Sequence, residues 1–243
     1  MIKKKSVSVF WPVVVLAAAL GQQTPGSNPT ADEILDRSVE VLGGISANDK
    51  VLTILEKGFE TDWNNKRKEF EHYFNKKPCK FLTVRREPGK EVKVGFDGEI
   101  VWKQDGSQKA KKVTGDHADD MRCDEQSGDL IHWRDTLKHV EFWGTAEVLG
   151  RKAYIVRVTP RKGRFSDVYF DAQSFLQVRE DTTWASANGF KPVQVYVGDY
   201  RVVGDIRMPF EQVFLYQGRR FSEITTEVRL NITIDDAIFS KPK

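Results

Sequence analysis

Between Val51 and Thr233 the sequence is cut repeatedly by turn-forming pairs, and the runs between them are short and rich in β-branched and aromatic residues. Asn64-Asn65, Pro88-Gly89, Asp97-Gly98 and Asp105-Gly106 each separate a pair of such runs. These residue types reverse a chain because they tolerate positive φ, preset φ, or bond their own backbone. Segments such as Phe70-Glu71-His72-Tyr73-Phe74 alternate, so successive side chains divide between two faces of a strand. Strand patterns run from 51 to 103 and resume from 140 to 233. The expectation is a mainly β (α+β) fold with one curled sheet of about eleven antiparallel strands.

Two stretches break this period. Thr30 with Glu33 has the capping-box spacing, and Ile34, Leu35, Val39, Val41 and Leu42 follow at helical intervals before Gly43-Gly44 ends the run. Between Gly115 and Leu137 an acidic stretch precedes Leu130, Ile131, Trp133 and Leu137, a pattern that predicts two short helices interrupting the sheet.

Lys3, Lys4 and Lys5 precede an apolar run from Val7 to Leu20 that closes on small residues, the pattern of a secretory signal peptide over 1–21. A polar lead-in over 22–29 follows, and 30–243 is expected to be a single domain. The whole chain has 38 Lys+Arg against 35 Asp+Glu; positions 1–21 hold three of the lysines and no acid, leaving 35 against 35. A nucleic-acid binder needs a basic surplus to displace phosphate counterions, so no nucleic-acid partner is expected. Cys79 and Cys123 are an even pair in an exported chain. They read equally as a disulfide, worth about 4 kcal/mol on the chain-entropy model, or as two buried thiols.

Several segments together resemble a known family. Ala31-Asp32-Glu33-Ile34-Leu35 through Leu42-Gly43-Gly44, then Gly95-Phe96-Asp97-Gly98 with Trp102, are similar to the opening helix and hairpin of the outer-membrane lipoprotein-sorting family that includes LolA. Tyr169-Phe170-Asp171 with Phe175-Leu176-Gln177-Val178-Arg179, Asp199-Tyr200-Arg201 with Met208-Pro209-Phe210, and Ile232 through Pro242 resemble its later strands and tail. The resemblance implies an incomplete antiparallel β-barrel with helices over its open side, and an apolar cavity for the acyl chains of a lipoprotein or lipid. It also implies no cofactor, no metal and no reaction. The partners would be acyl chains, inner- and outer-membrane transport components, and transiently a membrane, the carrier itself being a periplasmic monomer.

An acyl chain is worth about 0.8 kcal/mol per buried CH₂, so a chain of about sixteen carbons represents on the order of 12 kcal/mol that a large apolar lining must offset. Expected on the strands of that lining are Phe70, Phe74, Phe81, Val94, Trp102 and Phe142. Tyr154, Val156, Phe170, Val195 and Phe214 extend it, and Leu130, Trp133 and Leu137 belong to the cover. Ordinary core packing is the competing reading of each one singly.

Catalytic readings have less to stand on. His72, His117, His132 and His139 lack HExxH spacing, and His117-Ala118-Asp119-Asp120 reads as a solvated helix face. Asp97, Asp105 and Asp171 sit beside turns, no Gly-x-Ser-x-Gly elbow occurs, and neither cysteine has a catalytic context. An enzyme would depend on Asp97, Asp171 or His132. The stronger rival is a sensor that reads lipid or lipoprotein and signals to a membrane partner.

Overall fold

A computed structural model describes residues 28–122 and 130–243. The signal segment 1–21, most of the 22–29 lead-in and Cys123 lie outside the described residues. Thirteen strands form one sheet: β1 (Thr53–Thr61), β2 (Arg67–Lys76), β3 (Cys79–Glu87), β4 (Lys90–Phe96), β5 (Val101–Asp105), β6 (Lys111–Lys112), β7 (Leu137–Val148), β8 (Arg151–Pro160), β9 (Ser166–Asp171), β10 (Gln177–Ser186), β11 (Gly189–Val203), β12 (Ile206–Tyr216) and β13 (Arg219–Leu230). Their order is β6-β5-β4-β3-β2-β1-β13-β12-β11-β10-β9-β8-β7, all neighbours antiparallel. The expected count of about eleven is thus corrected to thirteen. Of the additions, β6 has only two residues, both lysines facing Trp102 and Lys103, so no apolar alternation announces it.

The sheet is open, with β6 at one edge and β7 at the other. The chain therefore passes from one edge to the opposite edge between β6 and β7, and that passage carries α3 (Asp116–Met121) and α4 (Trp133–Thr136). Helices α1 (Ala31–Val41) and α2 (Gly44–Asp49) precede the sheet, and a 3₁₀ turn, η1 (Asp236–Phe239), follows it.

The capping box is present: Thr30 Oγ1 accepts from Glu33 N at 3.2 Å and Glu33 Oε2 accepts from Thr30 N at 2.8 Å. Ile34, Leu35 and Val39 then bury one stripe of α1 against Val156, Val158, Val168 and Phe170 of the sheet. Thr30→Ala should cost about 1 kcal/mol, measured by urea unfolding, because it orphans a helix-start N–H. The Gly43-Gly44 stop is followed at once by α2, which the sequence pattern did not announce. Gly43 has φ 108°, and a Cβ there would lie 2.5 Å from Asp205 O, so only glycine lets α1 end against the β11–β12 turn. Asn48 Nδ2 then donates to Gly44 O at 2.8 Å and Leu42 O at 3.3 Å, satisfying carbonyls at the junction.

Candidate functional site

Register assigns every strand residue to one of two faces. Phe74 pairs with Phe81 and Phe81 with Phe96, so these three rings share a face, with centroids 6.3 and 6.2 Å apart. On the other wing Tyr154 pairs with Phe170 and Val156 with Val168. Both sets pack under helices: Phe96 and Val101 against Ala118 of α3, and Val156 and Phe170 against α1. This helix-bearing face is the inner face of the half-barrel.

Helix α3 spans it. Ala118 anchors on the β4–β5 wing, while Asp120 reaches the β10 wing, accepting from Ala185 N and Arg164 Nη2, both at 2.6 Å. Strand β9 begins at Ser166, beside Thr182, so the last residues of β10 lack a neighbour on that side. Asp120 takes the Ala185 N–H, and Arg164 Nη2 donates to Thr183 O at 2.9 Å, so side chains complete an edge that the sheet leaves unpaired. Asp120 is therefore a latch rather than a member of a solvated face.

Beside this latch lies a half-open cavity of about 900 Å³. Leu130, Leu137, Val158, Val168, Trp184, Phe190, Val195 and Phe214 give it apolar walls. Its polar groups are Ser166, Glu180, Thr182 and Gln212 on the sheet, with Asp116, Asp119, Asp120, Arg122, Lys162 and Arg164 at the mouth. Glu180 sits between Val168 and Val195 in register. Burial pushes its carboxyl above the ordinary value, against hydrogen bonds with Ser166 and Gln177 that pull it down.

A second cluster of ionisable side chains lies on the inner face where β3, β2, β1 and β13 adjoin. Arg85 pairs with Glu60 and lies 3.6 Å from Glu223, and His72 Nδ1 is 3.8 Å from Glu56. His72 stacks on Phe70 at 4.4 Å, and Phe70 in turn packs over Gly58, where a Cβ would meet Phe70 Cζ at 2.8 Å. Burial first, and then Glu60, push the Glu223 carboxyl from 4.5 up to about 7, while His72 and Arg85 oppose the shift. Because the folded value is raised, Glu223 contributes its stability below the unfolded value, and that contribution is lost as pH rises through about 7. Glu223→Gln should therefore flatten the fall in stability between pH 4.5 and 7, by at most about 3 kcal/mol, in unfolding titrations run at both pH values.

The residues expected on the lining divide into groups. Leu130, Leu137, Val195 and Phe214 line the cavity. Trp133, Phe142, Tyr154, Val156 and Phe170 lie on the same face in the core beneath α1, and Phe70, Phe74, Phe81 and Val94 lie on the opposite wing of that face. Trp102 is not brought together with them. It pairs with Gly95 while Val101 pairs with Phe96, which puts the indole on the outer face, packed with Leu82, Val84, Ala110 and Phe239 under η1.

Trp184, Phe190, Glu180, Ser166 and Thr182 escaped the sequence reading, although 180, 182 and 184 share one face by simple alternation. Asp97 bonds the backbone N–H groups of Glu99 and Ile100, and Asp171 those of Gln173 and Ser174, as turn aspartates do. Asp105 instead pairs with Lys103 and Lys90. His132 Nε2 lies 2.9 Å from Asp49 Oδ1, tying the start of α4 to α2. Cys79 is disulfide-bonded. Among the described residues no three His, Cys, Asp or Glu side chains gather as metal ligands.

No protein-family model matches the sequence. No curated protein matches it either. Solved structures do match. A DUF1329 family protein from Desulfovibrio piger superposes with TM-score 0.59 at 13% identity, over 88% of this chain and 98% of its own. A putative outer membrane lipoprotein-sorting protein domain from Vibrio parahaemolyticus gives 0.57 at 10% identity, over 87% and 97%. A LolA superfamily protein from Nitrosomonas europaea gives 0.52 at 12% identity, over 88% and 99%. The open antiparallel sheet, the helices over its inner face and these neighbours together make the fold of this chain LolA-like.

Proposed function

We propose that this protein is an exported carrier that takes acyl chains of lipoproteins or lipids into the cavity beneath α3 and transfers them between membranes across the periplasm. The observation that carries the reading is the cavity itself: a half-open space of about 900 Å³ on the inner face, with Val158, Val168, Val195 and Phe214 in its wall and α3 beside it, tied to Arg164 by Asp120. A space of this size lies at the upper end of small-molecule sites, and the apolar part of its lining, about half of the whole, suits a chain whose transfer from water is favourable by about 0.8 kcal/mol per CH₂. One of the structural neighbours is described as an outer membrane lipoprotein-sorting domain, which accords with such cargo.

The reading assigns the protein no reaction and no cofactor; its work is binding and release. The leader at 1–21 would place the folded domain outside the cytoplasm, and the whole of 30–243 would act as one lipid-binding unit. Native mass spectrometry after gentle purification should find lipid bound, and the delipidated protein should take up a fluorescent fatty acid that unlabelled fatty acid displaces. A protein that emerges lipid-free and takes up no fatty acid contradicts the proposal.

A further inference from the structure

Four hairpin tips stand side by side at one end of the sheet: β1–β2, β12–β13, β10–β11 and β8–β9, neighbours because β1 adjoins β13, β12 adjoins β11 and β10 adjoins β9. The cavity opens at this end, since Lys162, Gly163, Arg164 and Phe190 of the last two tips lie at its mouth. The tips carry three large exposed rings: Trp63 at 53%, Phe165 at 54% and Phe190 at 43% exposure. A guanidinium lies over each, Arg219 on Trp63 at 4.6 Å, Arg157 on Phe165 at 4.6 Å and Arg164 on Phe190 at 3.9 Å.

Charge is concentrated there as well. Positions 62–67, 161–165, 187–191 and 217–220 hold eight basic residues and one acid, Asp62. Asp62 is engaged with the backbone N–H groups of Asn64 and Lys66 in its own turn. Counting α3 and Arg122 at the mouth leaves nine basic against four acidic. The tips at the far end of the sheet, 77–78, 97–100, 149–152, 172–176 and 204–207, hold four basic and three acidic residues. A chain that balances basic and acidic residues once its first 21 positions are set aside has thus gathered positive, aromatic tips at one end of the sheet, two of them at the cavity and the other two beside it.

We infer that this rim docks onto an anionic lipid surface, with Trp63, Phe165 and Phe190 entering the headgroup layer and the basic tips meeting acidic headgroups. Aromatic rings settle at the membrane–water interface, and clustered Lys and Arg are attracted to anionic leaflets within a Debye length. Both features lie at the end of the sheet where the cavity opens, so docking there would bring the cavity toward the bilayer. No helix among the described residues is long and apolar enough to cross a membrane, and the contact inferred is a peripheral one. This surface is independent of what fills the cavity and goes beyond the carrier reading.

The test is flotation of the purified protein with phosphatidylcholine vesicles, with and without phosphatidylglycerol. Binding is expected only to the phosphatidylglycerol vesicles, and raised salt should release it. The variant carrying Lys66→Glu, Arg67→Glu, Arg219→Glu and Arg220→Glu should bind at least about a hundredfold more weakly. Arg151→Glu with Lys152→Glu, at the far end, should bind as the parent does. Brominated phosphatidylglycerol should quench the parent's fluorescence more than that of Trp63→Phe. Absence of vesicle binding, equal binding to both vesicle types, or undiminished binding by the four-charge variant overturns the inference. None of these outcomes bears on fatty-acid uptake in solution, so failure of docking and failure of the carrier reading are told apart.

Discussion

Trp102→Ala is expected to destabilise the protein by about 3–5 kcal/mol, the cost of deleting a buried indole that its surroundings cannot collapse to fill. The indole is only 1% exposed, and Gly95 lies so close that a Cβ there would sit 2.5 Å from the ring. Its Nε1 donates to Phe239 O at 2.7 Å, so η1 at the end of the chain is fastened to β5 through this one side chain. Truncation would open a void among Leu82, Val84 and Phe239 and leave a buried carbonyl without its donor. Urea unfolding measures the loss. A change under about 1 kcal/mol would mean that η1 and the outer face are not packed as described. Because the indole faces away from the cavity, the folded fraction of the variant should take up fatty acid as the parent does.

Val195→Trp is expected to separate binding from stability. Val195 lies between Glu180 and Phe214 in register, on the cavity wall. In a filled core an inserted indole would cost about 1–3 kcal/mol of stability. Here it has open space to enter, and it displaces on the order of three CH₂ groups of cargo, about 2.4 kcal/mol. That predicts roughly fiftyfold weaker fatty-acid binding with nearly unchanged unfolding. Titration with a fluorescent fatty acid, alongside urea unfolding of the same preparation, reads both quantities. Lost stability with unchanged binding would show that the cavity is not where cargo sits.

Much of the architecture was legible in the chain because the physics that sets it is local. Turn pairs such as Asp97-Gly98 and the Thr30/Glu33 box fix where strands and the first helix begin, and both devices are in place. Face assignment was legible only where neighbours keep strict alternation. Trp102 looked like the ring of an inner strand because its partner Gly95 has no side chain to betray the face, and the residue that covers it, Phe239, lies far along the chain. The cavity walls were half legible. Leu130, Leu137, Val195 and Phe214 follow from apolar patterning, whereas Glu180, Ser166 and Thr182 are polar side chains that binary patterning assigns to solvent. What brings Asp116, Asp119 and Asp120 to the cavity is α3 arriving from the far edge of the sheet, held by Asp120 on Arg164 and Ala185, a contact between segments 44 and 65 residues apart. No window of sequence contains it.

Entry of acyl chains onto the inner face beneath α3 is the claim on which the carrier role stands. A fatty acid bearing a diazirine near its methyl end, irradiated in complex with the protein and mapped by peptide mass spectrometry, tests this most directly. Adducts should fall on the segments carrying Leu137, Val168, Trp184, Val195 and Phe214. Labelling confined to outer-face segments such as those of Trp102 and Phe239, or no labelling that free fatty acid competes away, would contradict it.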